Sequence, residues 1–582
     1  MIGKNSISSY RRSFRLDIAP KPAIYSGPEK KMVLMIRKIR FVLLGILILS
    51  HFLLALEGTG TGTREEAAGT FPPGGESDIR RFLQGDEPAK LKFSGPEAAE
   101  LFSREIEESF QAVLRKNYKI DSRPFMPGYV TASVDGRPWH QTMWSRDGGT
   151  FLRELVMWGC IRHACLTADC LIRLVQKNDE GYYTFPEYFT FIEPASGSEW
   201  DGTASIIIAL ALLWDRLPAE DPYKAKIYSF LHQDSSPLRL IHSRFQKQPL
   251  LEGSGEFGGG CFIAGKWINV VQNNLIRLAL LAAAKMELGA ADHPWADAYR
   301  QDAEKVGENM LRFLVDGDGS WIWCIDPGTM KPNPAVINHP INKGFGGMNG
   351  VACMTADVCG FEPAASEWKG IGACEKTFAK LYSFPLRREQ FKKYGIWTQF
   401  DEFRAGMSSG PSYGDGYALQ TMLLWDKMEM AEKSITYLAR ATFRPPAAYS
   451  ELKRDSPYHF YERYYSPEAV GKLELEQGCG ALNLVNVTEP LKAARLLMGV
   501  DDVSSAEVKI IIRMPPSWTA IEAENWPIRT VTGVCRANIE YRKKGDKRFF
   551  ELEVKSGHLI PELAVRFPTR TGNAWIRRTN VR

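Results

Sequence analysis

Between residues 95 and 500, the apolar and polar positions alternate between two kinds of helical segment. The first kind is dense in Ala, Leu, Ile, Val and Met and follows a Gly-rich or aromatic loop, at 147–162, 201–215, 269–287, 346–359, 414–428 and 476–487. The second kind has a polar face, with apolar residues at three- and four-residue spacing, at 96–117, 293–315 and 430–441. Buried and amphipathic helices in alternation predict a mainly α fold, an (α/α)6 barrel over residues 91–500. A stacked helical solenoid is the alternative, but the long loops before the buried helices favour the barrel.

After residue 500 the spacing of apolar residues changes from the three- to four-residue period of a helix to the two-residue period of a strand. The stretches AEVKIIIRM, VCRANIEYRKKGDKRFFELEV and ELAVRF are rich in β-forming residues, and KKGDK has the composition of a hairpin turn. Residues 501–582 are therefore predicted to form a small antiparallel β domain. We expect this domain to brace the barrel, and a separate sugar-binding role is the alternative.

The N-terminal segment has the pattern of an export signal. The basic stretch KKMVLMIRKIR runs into the apolar stretch FVLLGILILSHFLLAL, which ends at residue 56. Residues 1–56 are therefore predicted to be an extension with a signal peptide or a signal anchor. Residues 57–90 begin with a Gly-, Thr- and Pro-rich stretch, which predicts a flexible linker. The folded part is then periplasmic, extracellular or anchored in the membrane and facing outward.

Composition and charge exclude several classes of protein. The chain has 582 residues, of which 44% are hydrophobic and 24% charged, as in globular proteins. Residues 1–56 carry ten Lys and Arg and only two acids, a surplus larger than the +5 of the whole chain. The rest is therefore net acidic, so we expect no nucleic-acid partner. The ten Cys form no zinc-like spacing, so no metal site is predicted, and no pattern implies a cofactor; the oligomeric state stays open.

The first candidate site residues lie where a loop enters the first buried helix. The stretch ASVDGRPWHQTMWSRDGG places Arg146 and Asp147 at this entry, with Trp139 and Trp144 before them. We expect Asp147 to cap the helix and Arg146 to project into a cleft beside the two indoles. The arginine guanidinium as donor, the aspartate carboxylate as acceptor and the flat indole faces suit the binding of a polyhydroxylated ring. A purely structural pair at a helix start is the alternative.

This stretch resembles a loop of the six-hairpin glycosidase superfamily, which includes glucoamylase-like and trehalase-like (α/α)6-barrel enzymes. Their terminal-sugar loop matches TAS at 131–133 and WSRD at 144–147. A second match is SEWDG, in which the acid directly after Trp200 takes the place of the family's general acid. The resemblance implies that Asp201 is the general acid, with Glu199 as the alternative. A carboxyl beside an indole is partly desolvated, which favours its protonated form; a helix cap is the alternative role.

The partner carboxylate is expected late in the chain. YERYY followed by EQGCG resembles the segment that carries the general base in the same superfamily, which implies Glu462 as base and Tyr464 as a sugar contact. The aromatic pair usual after the turn is replaced by Gly480 and Ala481. The stretch WTQFDEF offers Glu402 as an alternative base and Trp397 as a stacking surface. We favour Glu462 because it precedes the sixth buried segment.

Together these patterns predict an exported glycoside hydrolase that acts on an oligo- or polysaccharide. By the resemblance, Asp201 protonates the departing oxygen and Glu462 activates water on the opposite face, which inverts the anomeric centre. Two other classes stay open, a polysaccharide lyase on a helical toroid and a non-catalytic sugar-binding surface protein. The sugar and its linkage are not specified by the sequence.

Deleting residues 1–56 should leave a soluble, folded and active protein, because the removed segment contributes nothing to the predicted barrel core. The far-ultraviolet circular dichroism of the truncated and full-length proteins measures this. Loss of the helical signal on truncation would show that the segment belongs to the fold.

Overall fold

Buried and amphipathic helices alternate in the computed structural model, and the mainly α expectation is confirmed. The structure describes residues 76–118, 127–132, 142–189, 200–253, 267–332, 370–383, 385–395, 409–443, 456–461, 463–465, 482–500, 507–569 and 572–581. Their helices are α1 Glu76–Leu83, α2 Glu97–Asn117, α3 Ser145–Met157, α4 Ile161–Leu174, α5 Trp200–Arg216, α6 Pro222–His232, α7 Pro237–Phe245, α8 Val270–Gly289, α9 His293–Phe313, α10 Gly370–Ser383, α11 Pro385–Tyr394, α12 Ser412–Leu424, α13 Met428–Phe443 and α14 Leu484–Met498.

The strands fall into short loop pairs and two longer sheets. The short pairs are β2 Met143–Trp144 with β5 Tyr188–Phe189, β3 Gln176–Lys177 with β4 Tyr183–Thr184, and β10 Ser409–Pro411 with β11 Arg463–Tyr465. A four-stranded loop sheet joins β6 Glu252–Gly253, β7 Trp267–Asn269, β8 Cys324–Asp326 and β9 Lys331–Pro332. The longer sheets use β1 Lys90–Ser94, β12 Glu507–Ile511, β13 Ala520–Thr530, β14 Gly533–Lys544, β15 Lys547–Gly557, β16 Ile560–Thr569 and β17 Gly572–Val581.

Five of the six apolar segments correspond to the buried helices α3, α5, α8, α12 and α14. The segment 346–359 lies outside the described residues. The last helix is displaced from its predicted range, since α14 begins after its cap Asn483 and continues to Met498. The prediction of 476–487 placed it too early because Lys492 and Arg495 interrupt the apolar pattern. In the fold both cations are buried in ion pairs.

The buried helices α3 and α5 run parallel. Near their beginnings, a Cβ on Gly202 would lie 2.8 Å from the Cβ of Ser145. At their ends, Arg216 Nη2 donates to Met157 Sδ over 3.3 Å. The neighbouring α8 continues the series, because Trp214 at the end of α5 touches Gly289, the last residue of α8.

The helices α14 and α12 extend the same series on the other side of α3. The backbone N–H of Ala132 donates a hydrogen bond to the carbonyl of Thr142, just before α3. The Ala132 carbonyl accepts one from the N–H of Leu484, the first residue of α14. Arg495 and Glu154 pair near the other ends of these two helices. Gln420 of α12 donates to the Glu489 carboxylate of α14 over 2.7 Å.

The C-terminal ends of α12 and α14 meet the same sheet. Asp426, which follows α12, pairs with Arg566 of β16, and Val500, which follows α14, bridges to Ile510 of β12. The described buried helices are therefore parallel neighbours in the order α12, α14, α3, α5 and α8. We call their shared beginnings, at residues 145, 200, 270, 412 and 484, the N-terminal rim.

The C-terminal strands form two sheets rather than one antiparallel unit. The order of the first is β1-β13-β14-β15, all antiparallel, and its outer strand β1 comes from residues before the helices. The order of the second is β12-β16-β17, in which β12 and β16 run parallel. The fully antiparallel prediction is thus wrong for this pair. The KKGDK hairpin is confirmed, since Lys544 pairs with Lys547 across Gly545, whose φ is 58°.

The first sheet covers the C-terminal ends of the buried helices, opposite the rim. Trp158, directly after α3, packs edge-on against Trp526 of β13 with ring centroids 5.1 Å apart. Arg529 of the same strand binds the Asp215 carboxylate through two nitrogens at 3.1 and 3.2 Å. This position suits a brace for the helices.

The predicted domain boundaries fall only partly within the described residues. Residues 1–75, which include the predicted signal and most of the linker, lie outside the described residues. At the end of the linker range, α1 is helical and Ile79 is buried against the core. One hydrophobic core runs through the helices and the C-terminal sheets, and residues 74–582 form one compact unit. Among the described helices, none is both long and apolar enough to cross a membrane.

One acidic side chain lies inside this core. Glu105 of α2 is fully buried, and in the part of the chain that the structure describes neither carboxyl oxygen has a hydrogen-bond partner. Desolvation raises the pKa of Glu105 well above its usual value. The folded protein therefore binds a proton that the unfolded chain releases, so the contribution of Glu105 to stability is greatest at low pH and falls as pH rises above the unfolded pKa.

Glu105→Gln should remove this pH dependence. The wild type should lose up to about 1.4 kcal/mol of unfolding free energy per pH unit from this group as pH rises above about 5, and the variant should lose less. Denaturant unfolding between pH 5 and pH 8 measures both slopes. Glu107→Gln, at an exposed position of the same helix, is the control. Equal slopes for wild type and Glu105→Gln would contradict the assignment.

Candidate active site

Three of the predicted site residues meet at the N-terminal rim. Arg146 and Asp147 lie in the first turn of α3, and Asp201 lies in the first turn of α5. The Arg146 guanidinium places Nη1 3.5 Å from Asp201 Oδ2 and Nε 3.6 Å from Asp147 Oδ1. We call these residues the Arg146 cluster. It brings one forked donor and two carboxylates together from segments 55 residues apart in the chain.

Burial distinguishes this cluster from a surface ion pair. Asp201 is 1% exposed and Asp147 is 5% exposed. Charges taken from water in this way need close partners, and the single guanidinium serves both carboxylates. Asp201 also accepts a bond from the backbone N–H of Gly202 over 3.0 Å. The cluster is therefore held rigidly at the helix ends.

Asp147 does not cap α3, contrary to the sequence prediction. The helix begins at Ser145, and the residue before it is Trp144, which has extended backbone angles. Asp147 therefore lies inside the first turn, where a negative charge interacts favourably with the helix dipole. The hydroxyl of Ser145 is used elsewhere, since it donates to the carbonyl of Pro186 over 2.5 Å. That bond ties the start of α3 to the loop before α5.

Two glycines allow the two helix starts to approach closely enough to form the cluster. A Cβ on Gly149 would lie 2.7 Å from the backbone nitrogen of Ile206 in α5. A Cβ on Gly202 would lie 3.0 Å from the backbone nitrogen of Arg146. Both contacts are with backbone, which cannot move aside as a flexible side chain would. The Gly-rich sequence after Arg146 is therefore a packing requirement.

An aromatic pair lies directly before the cluster. Trp144 is partly exposed, and its ring centroid is 5.1 Å from that of Tyr188. The two residues face each other across the β2 and β5 pairing. The sequence prediction included Trp144 but missed Tyr188. The aromatic stretch TFPEYFTF around it was the available signal.

A buried tyrosine fixes this aromatic loop. Tyr129 donates its hydroxyl hydrogen to the Phe189 carbonyl over 2.8 Å and accepts a bond from the Met143 N–H over 3.0 Å. Burial raises the pKa of the Tyr129 hydroxyl, so it stays a donor at physiological pH. The β2 and β5 pairing is thus locked at both strands.

The remaining predicted residues divide into three groups. Trp200 is the first residue of α5, directly before Asp201, and is buried in the core. Tyr464 lies in β11, which pairs with β10 directly before α12, so the strand that follows Glu462 reaches the rim. Outside the described residues lie the predicted positions Glu199, Glu402, Glu462, Trp139 and Trp397. Their roles stay predictions, as does the distance between Asp201 and a base.

One group of described residues has the composition of a metal site. His232, Glu287 and Asp292 place potential ligand atoms within 4.8 Å of one another. Hydrogen bonds within the protein already use these atoms. Tyr228 and His232 both bond the Glu287 carboxylate, and the Asp292 side chain caps α9. The group also lies at the C-terminal end of α8, away from the rim. It therefore has no part in the candidate site.

The chain matches no protein-family model and no curated protein, but it matches solved structures. A GH78 family rhamnosidase of Bacillus sp. GL1 superposes with a TM-score of 0.51 and 13% identity, over 80% of this chain and 42% of that one. The α-L-rhamnosidase from Dictyoglumus thermophilum gives 0.51 and 7%, over 85% and 50%. A sialidase gives 0.52 and 12%, over 82% and 41%.

The chain has the fold of these glycoside hydrolases. It spans half or less of the length of each of the three structures. At such low identity the likeness concerns the fold, and the chemistry must be argued from the residues at the rim.

Gly149→Ala should destabilise the protein by about 1–3 kcal/mol, because the new methyl group forces α3 and α5 apart. Denaturant unfolding measures the change. Gly372→Ala is the matched control, since that helical glycine in α10 has no atom within 4 Å of an added Cβ. The control should be neutral or gain up to about 1 kcal/mol from helix propensity. Equal stability of the two variants would show that the approach at Gly149 is not close.

Proposed function

We propose that the protein is an exported glycoside hydrolase that cleaves an oligo- or polysaccharide by an inverting mechanism. The observation that carries the proposal is the buried Arg146 cluster, which lies at the shared beginnings of parallel helices. Its supports are the glycosidase fold of the chain and the aromatic pair beside the cluster. A guanidinium and carboxylates beside flat aromatic rings are groups suited to binding a sugar ring.

In this proposal the helices form a complete (α/α)6 barrel of the six-hairpin kind. Five parallel buried helices are neighbours in one series, and the chain between α8 and α12 contains the sixth apolar segment at 346–359. A helix there would close the series into a ring. The rim would then surround a cleft that opens on the side opposite the C-terminal sheet.

The roles of the residues follow from their chemistry. Arg146 donates to ring hydroxyls, Asp147 accepts from them, and Trp144, Trp139 and Trp397 offer stacking surfaces. Asp201 gives its proton to the departing glycosidic oxygen, while Glu462 removes a proton from the attacking water on the opposite face. Glu199 and Glu402 are the alternative acid and base. An inverting reaction requires the two carboxyls to lie about 6.5–9.5 Å apart.

The substrate class follows from the neighbours and from the N-terminal pattern. Two of the structures that share the fold are rhamnosidases, one of them an α-L-rhamnosidase, so α-L-rhamnosides are the first substrates to test. The basic and apolar N-terminal segment supports a site of action outside the cytoplasm.

Asp201→Asn should abolish hydrolysis of a glycoside with an alkyl leaving group but spare part of the rate on an aryl glycoside, whose acidic phenol departs without a proton. Glu462→Gln should lower both rates by about 10²–10⁴, because water needs activation whichever group departs. Steady-state rates on rhamnosides with alkyl and nitrophenyl leaving groups measure this, and NMR of the first-formed anomer tests inversion.

Unfolding curves of both variants serve as the control, since Asp201 also contributes to packing at the rim. Wild-type activity of Asp201→Asn on the alkyl glycoside would exclude it as the acid. Binding of sugar without hydrolysis by the wild type would favour a non-catalytic sugar-binding protein.

A further inference from the structure

Polar side chains without partners lie on one face of the loop sheet that precedes α8. Four residues contribute them, Trp267, Asn269, Gln272 and Trp323, and we call them the amide–indole cluster. Gln272 is fully buried, yet among the described residues neither its Oε1 nor its Nε2 has a hydrogen-bond partner. The Nδ2 of Asn269 and the Nε1 atoms of Trp267 and Trp323 are also unpartnered.

The register of the sheet places Trp267 and Asn269 on one face, and packing brings Gln272 and Trp323 beside them. Gly253 of β6 pairs with Trp267 of β7, and a Cβ on Gly253 would lie 2.7 Å from Gln272 Nε2. Asn269 is two residues after Trp267, so both side chains point to that face. The Trp323 ring packs against Trp267 and Cys324. Gly253 lacks a side chain, which leaves room for the Gln272 amide.

The orientation of the Asn269 amide is fixed by its helix cap. Its Oδ1 accepts bonds from the backbone N–H groups of Val271 and Gln272 over 2.8 and 3.2 Å. The Nδ2 donor therefore points away from the helix. The neighbouring Asn273 differs, because its amide donates to the Leu251 carbonyl and accepts from the Leu251 N–H. The Asn273 amide is thus satisfied at both atoms, whereas the amides of the cluster are not.

An unsatisfied buried amide costs about 1–3 kcal/mol, so several together need a reason. The cluster offers several N–H donors, one carbonyl acceptor and two indole faces, and none of its members is charged. Glu252 belongs to the neighbouring position of β6 and therefore to the other face of the sheet. These groups match a neutral, hydroxyl-bearing sugar ring better than an acidic one.

We propose that the amide–indole cluster is a binding subsite for a neutral sugar ring, next to the Arg146 cluster on the N-terminal rim. The α8 helix packs beside α5 in parallel, so the cluster adjoins the end that carries Asp201. The inference rests on the proposed carbohydrate function. It adds the class of sugar and the residues that select it.

Trp323 is partly exposed and serves as the reporter. L-Rhamnose, D-mannose and D-glucose are titrated into the full-length wild type, with D-glucuronate and N-acetylneuraminate as acidic probes. Intrinsic tryptophan fluorescence and saturation-transfer NMR follow binding. A neutral sugar should shift the emission and bind more tightly than either acid.

Gln272→Met should raise the Kd of the neutral sugar about 3- to 10-fold, because it loses one or two neutral hydrogen bonds but keeps the side-chain volume. Its melting temperature should equal or exceed that of the wild type, since a buried unsatisfied amide is removed. Trp323→Phe should also weaken binding. Gln233→Met, an amide that bonds the Phe230 carbonyl after α6, is the control and should leave the Kd unchanged.

The outcomes separate this inference from the proposed hydrolysis. Tighter binding of the acidic sugars, or an unchanged Kd in Gln272→Met, would overturn the subsite even if glycosides are hydrolysed. Binding that depends on Gln272, in a protein that hydrolyses no glycoside, would support the subsite and contradict the hydrolase proposal. Absence of binding by every neutral sugar would overturn the subsite as well.

Discussion

The close parallel approach of α3 and α5 is the constraint on which the candidate site depends. Their backbones meet at Gly149 and Gly202, where any side chain would collide with backbone of the other helix. Because the two starts are this close, the Arg146 guanidinium reaches Asp201, although the two residues are distant in the chain. A wider spacing would separate the buried Asp201 carboxylate from this cation, at a cost that proteins avoid.

The two ends of the parallel helices use polar groups in different ways. Toward the C-terminal ends, Arg495 binds the Glu154 carboxylate through two nitrogens at 3.3 and 3.4 Å, inside the core. In the middle of the series, Lys492 pairs with Glu489 over 2.9 Å. The Arg495–Glu154 pair joins two neighbouring helices and the Lys492–Glu489 pair lies within one helix, and breaking either pair would leave a buried charge. At the rim, the buried amides of the amide–indole cluster lack such partners.

The C-terminal ends of the helices therefore contribute to stability, and their N-terminal ends form the candidate site for recognition. The C-terminal ends are covered by the sheet through Trp526 and Arg529, so water is excluded there. The rim is formed by loops and short strand pairs. Hydrogen bonds between side chains and backbone, such as those of the Tyr129 hydroxyl, fix these segments. A fixed helical scaffold and loops held by such bonds suit a specific sugar site, because binding then orders few groups.

The sequence by itself determined which segments are buried helices, which are amphipathic, and where the β region begins. These features are local, because each helix has its apolar period within a single segment. It also indicated Arg146, Asp147 and Asp201 through short motifs around a tryptophan. It misplaced α14, in which Arg495 is buried through an ion pair with Glu154, a residue far away in the chain.

Only the tertiary structure decided which ends meet and which strands pair. The parallel pairing of β12 with β16, the contact of Tyr188 with Trp144, and the unpartnered amide of Gln272 depend on residues far away in the chain. No local pattern contains such information. The physical reason is that hydrogen bonding and desolvation are properties of a packed neighbourhood, whereas periodicity is a property of one segment.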